Sequence, residues 1–569
     1  MTEQGPVYTE RTECQDCYRC IRECSVKAIK VASGYASVIP ELCVCCGHCV
    51  AACPHSAKKV RSDRGVVERL LASGDPVVVS LAPSYISEFE DLRPAQIIAA
   101  LKRLGFTAVS ETALGAQEVS AHLAEDLRNR KNGVRISSAC PVAVEYIQKY
   151  QPHLTDQIVP LLSPVLSHAR MLKQQNGERA HVVFIGPCIA KKREADLHPE
   201  LLDAALTFVE LRQWLDDRKI LPADIQESED DRFTPEAARE GALYPVEGGM
   251  LEGVRALLGD TPAGFMSFSG FSSVQRAMEG LENCRGSAPL LLELLACEGG
   301  CVNGPRTRSG AAVAKRTQVV ETAAPADSAP PRLPSIDISA TYKPVGLPEF
   351  ACTDAQLREA LRSIGKTSLE DELNCGGCGY DSCRQFAQAL AVGRAERQMC
   401  VGYMRKLAQK KTNVLMQRMP SGVVIVDDQL RIVESNPSFN AFFVRDGSDP
   451  AGAGLAEVVP FHNLFRQVLS NGQEILDRQL RYGGRVFSAT VFAIEPGSLV
   501  GGIVRDATRP TLEKEQIIRR AREVIQKQLT TVQQIAYLLG ENAAESEMTL
   551  NEIVESFSPD DLEQPHRGD

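Results

Sequence analysis

The sequence predicts a multidomain chain of α/β and α+β parts, and three observations carry that prediction. Residues 14 to 53 hold two copies of one tight cysteine pattern. From about Val66 to Gln318, short β-branched runs alternate with amphipathic stretches, as in α/β layers. After a Pro/Ala-rich break, residues 414 to 508 turn β-rich, which predicts a small separate domain. A length of 569 residues leaves room for several domains.

Composition narrows the function classes. With 63 Lys+Arg against 73 Asp+Glu the chain is mildly acidic, and no basic block suits nucleic acid or anionic lipid. Its start, Met1-Thr2-Glu3-Gln4-Gly5, lacks a basic-then-apolar segment, and no 18-residue apolar run predicts a membrane span. The expectation is a soluble cytoplasmic protein without nucleic-acid or membrane partners. In a reducing cytosol, 19 cysteines read as metal ligands rather than disulfides. Cys45, Cys284 and Cys352 fall outside every cluster pattern and read as packing or surface thiols, with Cys45 beside a ligand position.

The first pattern is Cys14-x2-Cys17-x2-Cys20-x3-Cys24, followed by Cys43-x2-Cys46-x2-Cys49-x3-Cys53-Pro54. It resembles the bacterial two-cluster ferredoxin, in which three cysteines of each run wrap one cube and the fourth serves the other. The resemblance implies a ferredoxin-like module over residues 1–62 with two [4Fe-4S] clusters. One would be held by Cys14, Cys17, Cys20 and Cys53, the other by Cys43, Cys46, Cys49 and Cys24. Ser25 replaces the usual proline without removing a ligand. A zinc alternative needs only four ligands at looser spacing.

In the α/β region, Val77–Leu81, Val134–Ile136 and Val182–Ile185 read as buried strands, and sites in such sheets lie at strand carboxyl ends. Loops with lone cysteines follow two of them: Ser137-Ser138-Ala139-Cys140-Pro141 and Gly186-Pro187-Cys188-Ile189-Ala190-Lys191-Lys192-Arg193-Glu194. A third loop, Cys297-Glu298-Gly299-Gly300-Cys301, sets two thiols four apart around glycines that add no side chain and tolerate positive φ. Four such cysteines suit a [4Fe-4S] cluster. These loops, with Ser80-Leu81-Ala82-Pro83-Ser84 and Thr112-Ala113-Leu114-Gly115-Ala116, resemble signature stretches of the [FeFe]-hydrogenase catalytic domain over about residues 77–310. The resemblance implies an H-cluster domain at 63–320. Cys140, Cys188, Cys297 and Cys301 would hold the cube. Cys301 would bridge it to a diiron subcluster carrying CO, cyanide and an azadithiolate. Ala82, Pro83, Ser84, Ala190 and Lys191 would surround that subcluster, with Lys191 donating to a cyanide nitrogen.

The departures from the family bear on rate. Ala139 stands where a proton-relaying cysteine is usual, and a methyl group carries no proton. No acidic relay residue is evident around Gln117 to Leu127, where His122 and Glu125 are expected on a solvated helix face. Gly186 and Leu295 replace methionines, and Val165 replaces a glutamine.

Beyond the Pro/Ala-rich linker at 321–347, Cys375-x2-Cys378-x4-Cys383-x16-Cys400 resembles a small four-cysteine [4Fe-4S] module, with an Ala-rich helix ending at the last ligand. Zinc remains its rival. That module is expected over 348–412. Residues 413–508 resemble a PAS domain, from the hairpin of Gly422–Asp428 with Arg431–Val433, the helix opened by Asn436-Pro437-Ser438-Phe439, and the closing Asp506-Ala507-Thr508. No cofactor signature is evident in it, and His462 reads as a surface residue. Over 509–569, Ile518, Ala521, Ile525, Gln528, Val532, Ile535 and Leu539 predict a helix with a coiled-coil seam, followed by a disordered tail from Ser558.

The whole assembly resembles the sensory [FeFe]-hydrogenases. That implies an enzyme of low activity in H2 oxidation and proton reduction, which passes its redox state through the Fe–S clusters and PAS domain to a redox partner or a kinase or phosphatase acting in trans. Homodimerisation would run through the PAS domain and C-terminal helix. Two other readings stand: a catalytic hydrogenase linked to ferredoxin or NAD, and an Fe–S scaffold without the diiron unit.

Overall fold

Four short strands frame the cysteine repeat: β1 (Val7–Thr9), β2 (Ile29–Ala32), β3 (Tyr35–Val38) and β4 (Lys58–Val60), with β1 antiparallel to β4 and β2 to β3. The computed structural model describes residues 4–508 apart from 222–223, 236, 285, 324–331 and 445–447, and a few helical positions between 523 and 535. Each half of the repeat places its third cysteine in a short helix, Arg19–Arg22 or His48–Ala52, entered through a left-handed residue, Tyr18 (φ 61°) or Gly47 (φ 82°). Buried charge fastens the same segment to the α/β region. Arg61 pairs with Asp63 at 2.8 Å and with Asp196 at 2.9 Å. Lys149 and Tyr150 donate to the carbonyls of Cys43 and Leu42, each at 2.7 Å.

Two parallel sheets form the next layer. β5 (Val77–Leu81), β6 (Ala108–Glu111), β8 (His181–Gly186) and β9 (Ala204–Thr207) lie in the order β6-β5-β8-β9, whereas β7 (Gly133–Ile136), β10 (Gly264–Ser269) and β11 (Pro289–Leu295) lie as β10-β11-β7. All five residues of β5 are buried, as expected for a parallel strand covered on both faces. Strand order reverses at β5, so a crevice opens at the carboxyl ends of β5 and its neighbours. Fully buried His168 ties this region together: its ring nitrogens bond the hydroxyls of Ser80 (2.8 Å) and Ser110 (2.9 Å). Burial drives its pKa down to about 3, so it works as a neutral crosslink.

The expected linker is in part docked. A helix runs to Thr322, residues 324–331 lie outside the described set, and 332–345 lie along the α/β domain. Arg332 pairs with buried Glu240 at 3.0 Å, and Glu118 accepts from the Ser335 amide and hydroxyl and the Ile336 amide at 2.6, 2.7 and 3.0 Å. His122 was expected on a solvated face. It is instead half-buried, 3.3 Å from Glu118 and 2.9 Å from the Ile336 carbonyl, because the linker covers that face.

Residues 1–396 and 397–569 form two compact units. The division falls inside the expected four-cysteine module, and the helix Val401–Arg418 runs through the expected 412/413 boundary. The Ala-rich helix stops at Ala391, and Cys400 instead N-caps Val401–Arg418. In the second unit, β12 (Gly422–Val426), β13 (Ile432–Ser435), β14 (Ile475–Tyr482), β15 (Arg485–Glu495) and β16 (Leu499–Asp506) make an antiparallel sheet ordered β13-β12-β16-β15-β14. Asn436 caps the following helix at 2.9 Å and holds Val423 at 2.8 Å. Phenylalanines fill the interior, and a Cβ on Gly502 would stand 2.2 Å from the Phe465 ring. His462 is half-buried at the start of a helix rather than on the open surface. Of the C-terminal seam, Gln528, Val532 and Ile535 are helical; Ile518, Ala521, Ile525, Leu539 and the tail lie outside the described residues. No described helix is long and apolar enough to cross a membrane.

Burial opposes the charge of Glu118. His122 and the amides and hydroxyl of residues 335–336 outweigh it and bring the carboxyl down to about 2. Its contribution is therefore complete above the ordinary carboxylate pKa, about 4.5, and is lost as pH falls toward 2. Glu118→Ala is expected to cost about 1–3 kcal/mol and to raise hydrogen exchange across residues 332–345. Lowering the pH through that window should reproduce the exchange effect in the unmutated chain.

Candidate metal-cluster site

Four loops enter the crevice, each from a strand end. β5 delivers Ala82-Pro83-Ser84, β7 delivers Ala139 and Cys140, β8 delivers Cys188, and β11 delivers Ala296 and Cys297. Together with Cys301 and Lys191 they line one cavity of about 100 Å³ whose wall is chiefly apolar. Ala190, fully buried, opens the helix Ala190–Leu197 that carries Lys191. The Cys297–Cys301 turn depends on its glycines. Gly299 and Gly300 have φ of +71° and +105°, and a Cβ on Gly300 would stand 2.3 Å from the Pro245 carbonyl oxygen. Glu293, buried in β11, accepts from the amides of Gly248 (2.6 Å) and Met250 (3.3 Å) and from Ser267 (2.5 Å), which sets the adjoining helix against the same strand.

The thiols crowd one another. Cys297 lies among Cys301, Cys188, Cys140 and Cys46; burial first, and those neighbours next, push its pKa well up. The same causes raise Cys301, and burial pushes Cys188 up to about 11. Cys188, Cys297 and Cys301 are thereby held as thiols unless a cation takes the proton's place, which is the electrostatics of a cluster site. Among the described residues, no three His, Cys, Asp or Glu side chains converge as one bound ion requires. The cysteines ring a cavity, which suits a polynuclear group better than a tetrahedral ion drawing sulfurs to about 2.3 Å.

The N-terminal cysteines neighbour one another closely enough to interact. Cys20 lies among Cys17, Cys14 and Cys53, and Cys49 among Cys43, Cys46 and Cys24. Amides of Ala28 and Cys45 point at the sulfurs of Cys24 (3.2 Å) and Cys43 (3.3 Å), donors that suit thiolates bound to iron. Gly47 permits close packing here, since a Cβ would meet Pro305 at 2.7 Å and Ile189 at 2.8 Å, which brings Cys46 beside Cys297. Of the third set, Cys375 is exposed, Cys378 and Cys383 are half-buried, and Cys400 is buried in the second unit. Tyr380 lies near both Cys378 and Cys24, so this segment reaches the N-terminal cysteines.

Lys191 meets Ser163 Oγ at 3.2 Å and Glu194 at 2.5 Å. Ser84 Oγ is buried on the cavity wall with no protein partner, a donor left for a bound group. The chain's residues therefore fit the implied group: four sulfurs, two polar donors and an apolar wall. Sequence reasoning missed Tyr244 and Phe184, which also line the cavity. Phe184 explains Gly186, since a Cβ there would stand 2.3 Å from its ring, so aromatic carbon fills the room a methionine would take. The Tyr244 hydroxyl bonds Ser120 at 2.9 Å, and no sequence spacing signals that pairing.

Thiol sets of this kind, embedded in an α/β layer, define an iron–sulfur protein. Residues 75–305 match the family described as iron only hydrogenase large subunit, C-terminal domain; residues 371–401 match an Fe–S cluster family and residues 410–495 the PAS fold. The chain is a hydrogenase-like protein that carries a PAS domain. It is 24% identical over 303 residues to iron hydrogenase 1 of Clostridium pasteurianum, covering 44% of this chain and 52% of that protein. It thus spans about half the length of that relative. It is also 26% identical over 344 residues to protein NAR1 of Arabidopsis thaliana (46% and 71% covered), and 30% identical over 133 residues to the cytosolic Fe–S cluster assembly factor NAR1 of Candida dubliniensis (22% and 23%). An [FeFe]-hydrogenase structure from Chlamydomonas reinhardtii aligns over 50% of this chain and all of its own at 19% identity, with a TM-score of 0.40.

Gly300→Ala forces a side chain into the Pro245 carbonyl at a left-handed position. The variant is expected to lose iron at the four-thiol cavity and to keep whatever iron the N-terminal cysteines hold, as read by iron per chain and by electron paramagnetic resonance before and after the substitution.

Proposed function

We propose that the chain binds H2 at an H-cluster held in this cavity, activates it slowly, and passes the redox state through its Fe–S clusters and PAS domain to a signalling partner. One observation carries the reading. The methyl group of Ala139 lines the same wall as the four thiols and Lys191, so the site keeps its means of holding the cluster but presents no proton carrier at that position.

When bound, the group would supply an open iron site and a basic amine for heterolytic cleavage of H2. The chain's own residues have other tasks. Lys191, held by Ser163 and Glu194, would present an ammonium to a cyanide ligand, and Ser84 Oγ would offer a second donor. Val165, Leu295 and Phe184 keep water from the wall. Cys46 beside Cys297 gives the cavity a close neighbour among the ferredoxin-type cysteines, which supports electron exchange with that module. The Phe-filled PAS interior favours relay by docking over relay by a bound chromophore. The partner would be a kinase, phosphatase or redox protein in trans.

Likeness to NAR1 favours a second reading, an Fe–S assembly or scaffold protein that never carries the diiron unit. Lys191 and the unpartnered Ser84 hydroxyl weigh against it, because a bare cube needs neither.

Restoring a thiol distinguishes these readings. Ala139→Cys is expected to raise H2 turnover of the matured protein at least about tenfold, as a positioned proton carrier should. An unchanged, high rate in both forms would point to a working catalyst with another proton path. No turnover in either would favour the scaffold.

A further inference from the structure

The docked linker does more than connect. Ile338, fully buried in the α/β core, accepts from the Leu162 amide at 2.8 Å, and the Ala340 amide donates to the Pro160 carbonyl at 2.9 Å. Tyr342 donates its hydroxyl to the Leu161 carbonyl at 2.8 Å. Three successive residues, 160 to 162, are thus gripped from one side in strand-like fashion. The next is Ser163, 1% exposed, whose hydroxyl accepts from Lys191. Tyr342 also lies beside Glu194, the other partner of Lys191, and beside Ser138, which precedes Ala139 and Cys140. One aromatic side chain therefore lies near Glu194 and bonds the chain two residues before Ser163. Past Val345, whose amide donates to the Gln148 carbonyl at 2.8 Å, the same stretch leads into the helix Asp354–Ser363 and the Cys375–Cys378–Cys383 segment.

We propose that residues 332–345 are a positioning strap for Lys191, in which Tyr342, acting through Leu161 and Ser163, fixes the ammonium on the cavity wall. A shift of Lys191 then has to displace the strap, and a pull on the strap has to displace Lys191, because coupling between two positions is reciprocal. The purpose of the strap rests on the H2-sensing reading, in which a change at the cavity is handed down the chain; its geometry does not.

The test uses the full chain without metal. Lysine acetylation is followed residue by residue by mass spectrometry in the unmutated protein and in Tyr342→Phe, which keeps the ring and removes only the hydroxyl. Lys192 is the internal control: it is fully buried against Asp63 at 3.3 Å and Glu210 at 2.9 Å, one position along the same helix. Lys191 labelling is expected to rise roughly fivefold, the factor one net hydrogen bond sets, with Lys192 unchanged. Labelling unchanged at Lys191, or rising equally at Lys191 and Lys192, overturns the proposal. Ser335→Ala loosens the far anchor at Glu118 and is expected to give a smaller rise with the same selectivity; it carries the test if Tyr342→Phe does not fold. A matured protein that ignores H2 would count against the sensing reading and leave the labelling result as it stands.

Discussion

Burial of several thiols in one apolar cavity is the constraint on which the hydrogenase-like domain depends. Cys140, Cys188, Cys297 and Cys301 occupy one small, largely apolar cavity, and burial with like charge keeps Cys188, Cys297 and Cys301 protonated in the absence of a cation. Such a cavity has no use as ordinary core. Its cost is borne by the scaffold: strand ends aim the loops, Gly299 and Gly300 let the last turn close, and Glu293 anchors the neighbouring helix through two amides. A bound cluster would reverse the sign of the problem, since iron would take the buried sulfurs as ligands.

The same logic governs how the N-terminal segment is held. Arg61 and Lys192 are buried but never alone, each shared between two carboxylates, so neither is left as an uncompensated charge. This network fixes the two cysteine sets against the α/β layer, with Cys46 next to Cys297 and Tyr380 next to Cys24. Within the first unit, therefore, the cavity and the Cys378 segment each have a neighbour among the cysteines of the second repeat and Cys24.

Much of this was legible in the sequence because the chemistry is local. Cysteine spacing points to which thiols lie near one another, the glycine pair encodes a left-handed turn, and β-branched runs encode the strands that deliver the loops. What could not be read are contacts between residues far apart in the chain. Phe184 over Gly186, Tyr244 with Ser120, and His168 between Ser80 and Ser110 leave no periodic trace. The linker misled for a related reason. Its Pro/Ala composition predicts a semi-extended chain, and 332–345 has no helix or named strand, but composition does not say that this stretch finds Glu118 and the carbonyls of Pro160 and Leu161 waiting. His122 escapes the sequence for the same reason, since residues 335–336 cover that face.

The central claim is that the four thiols and Lys191 hold a diiron-bearing cluster that answers to H2. Infrared spectroscopy of the matured full-length protein under H2 and under argon tests it most directly. The account predicts stretching bands of metal-bound CO and cyanide whose positions change with the gas. A protein with its full complement of iron that lacks those bands, or whose bands are the same under both gases, would contradict it.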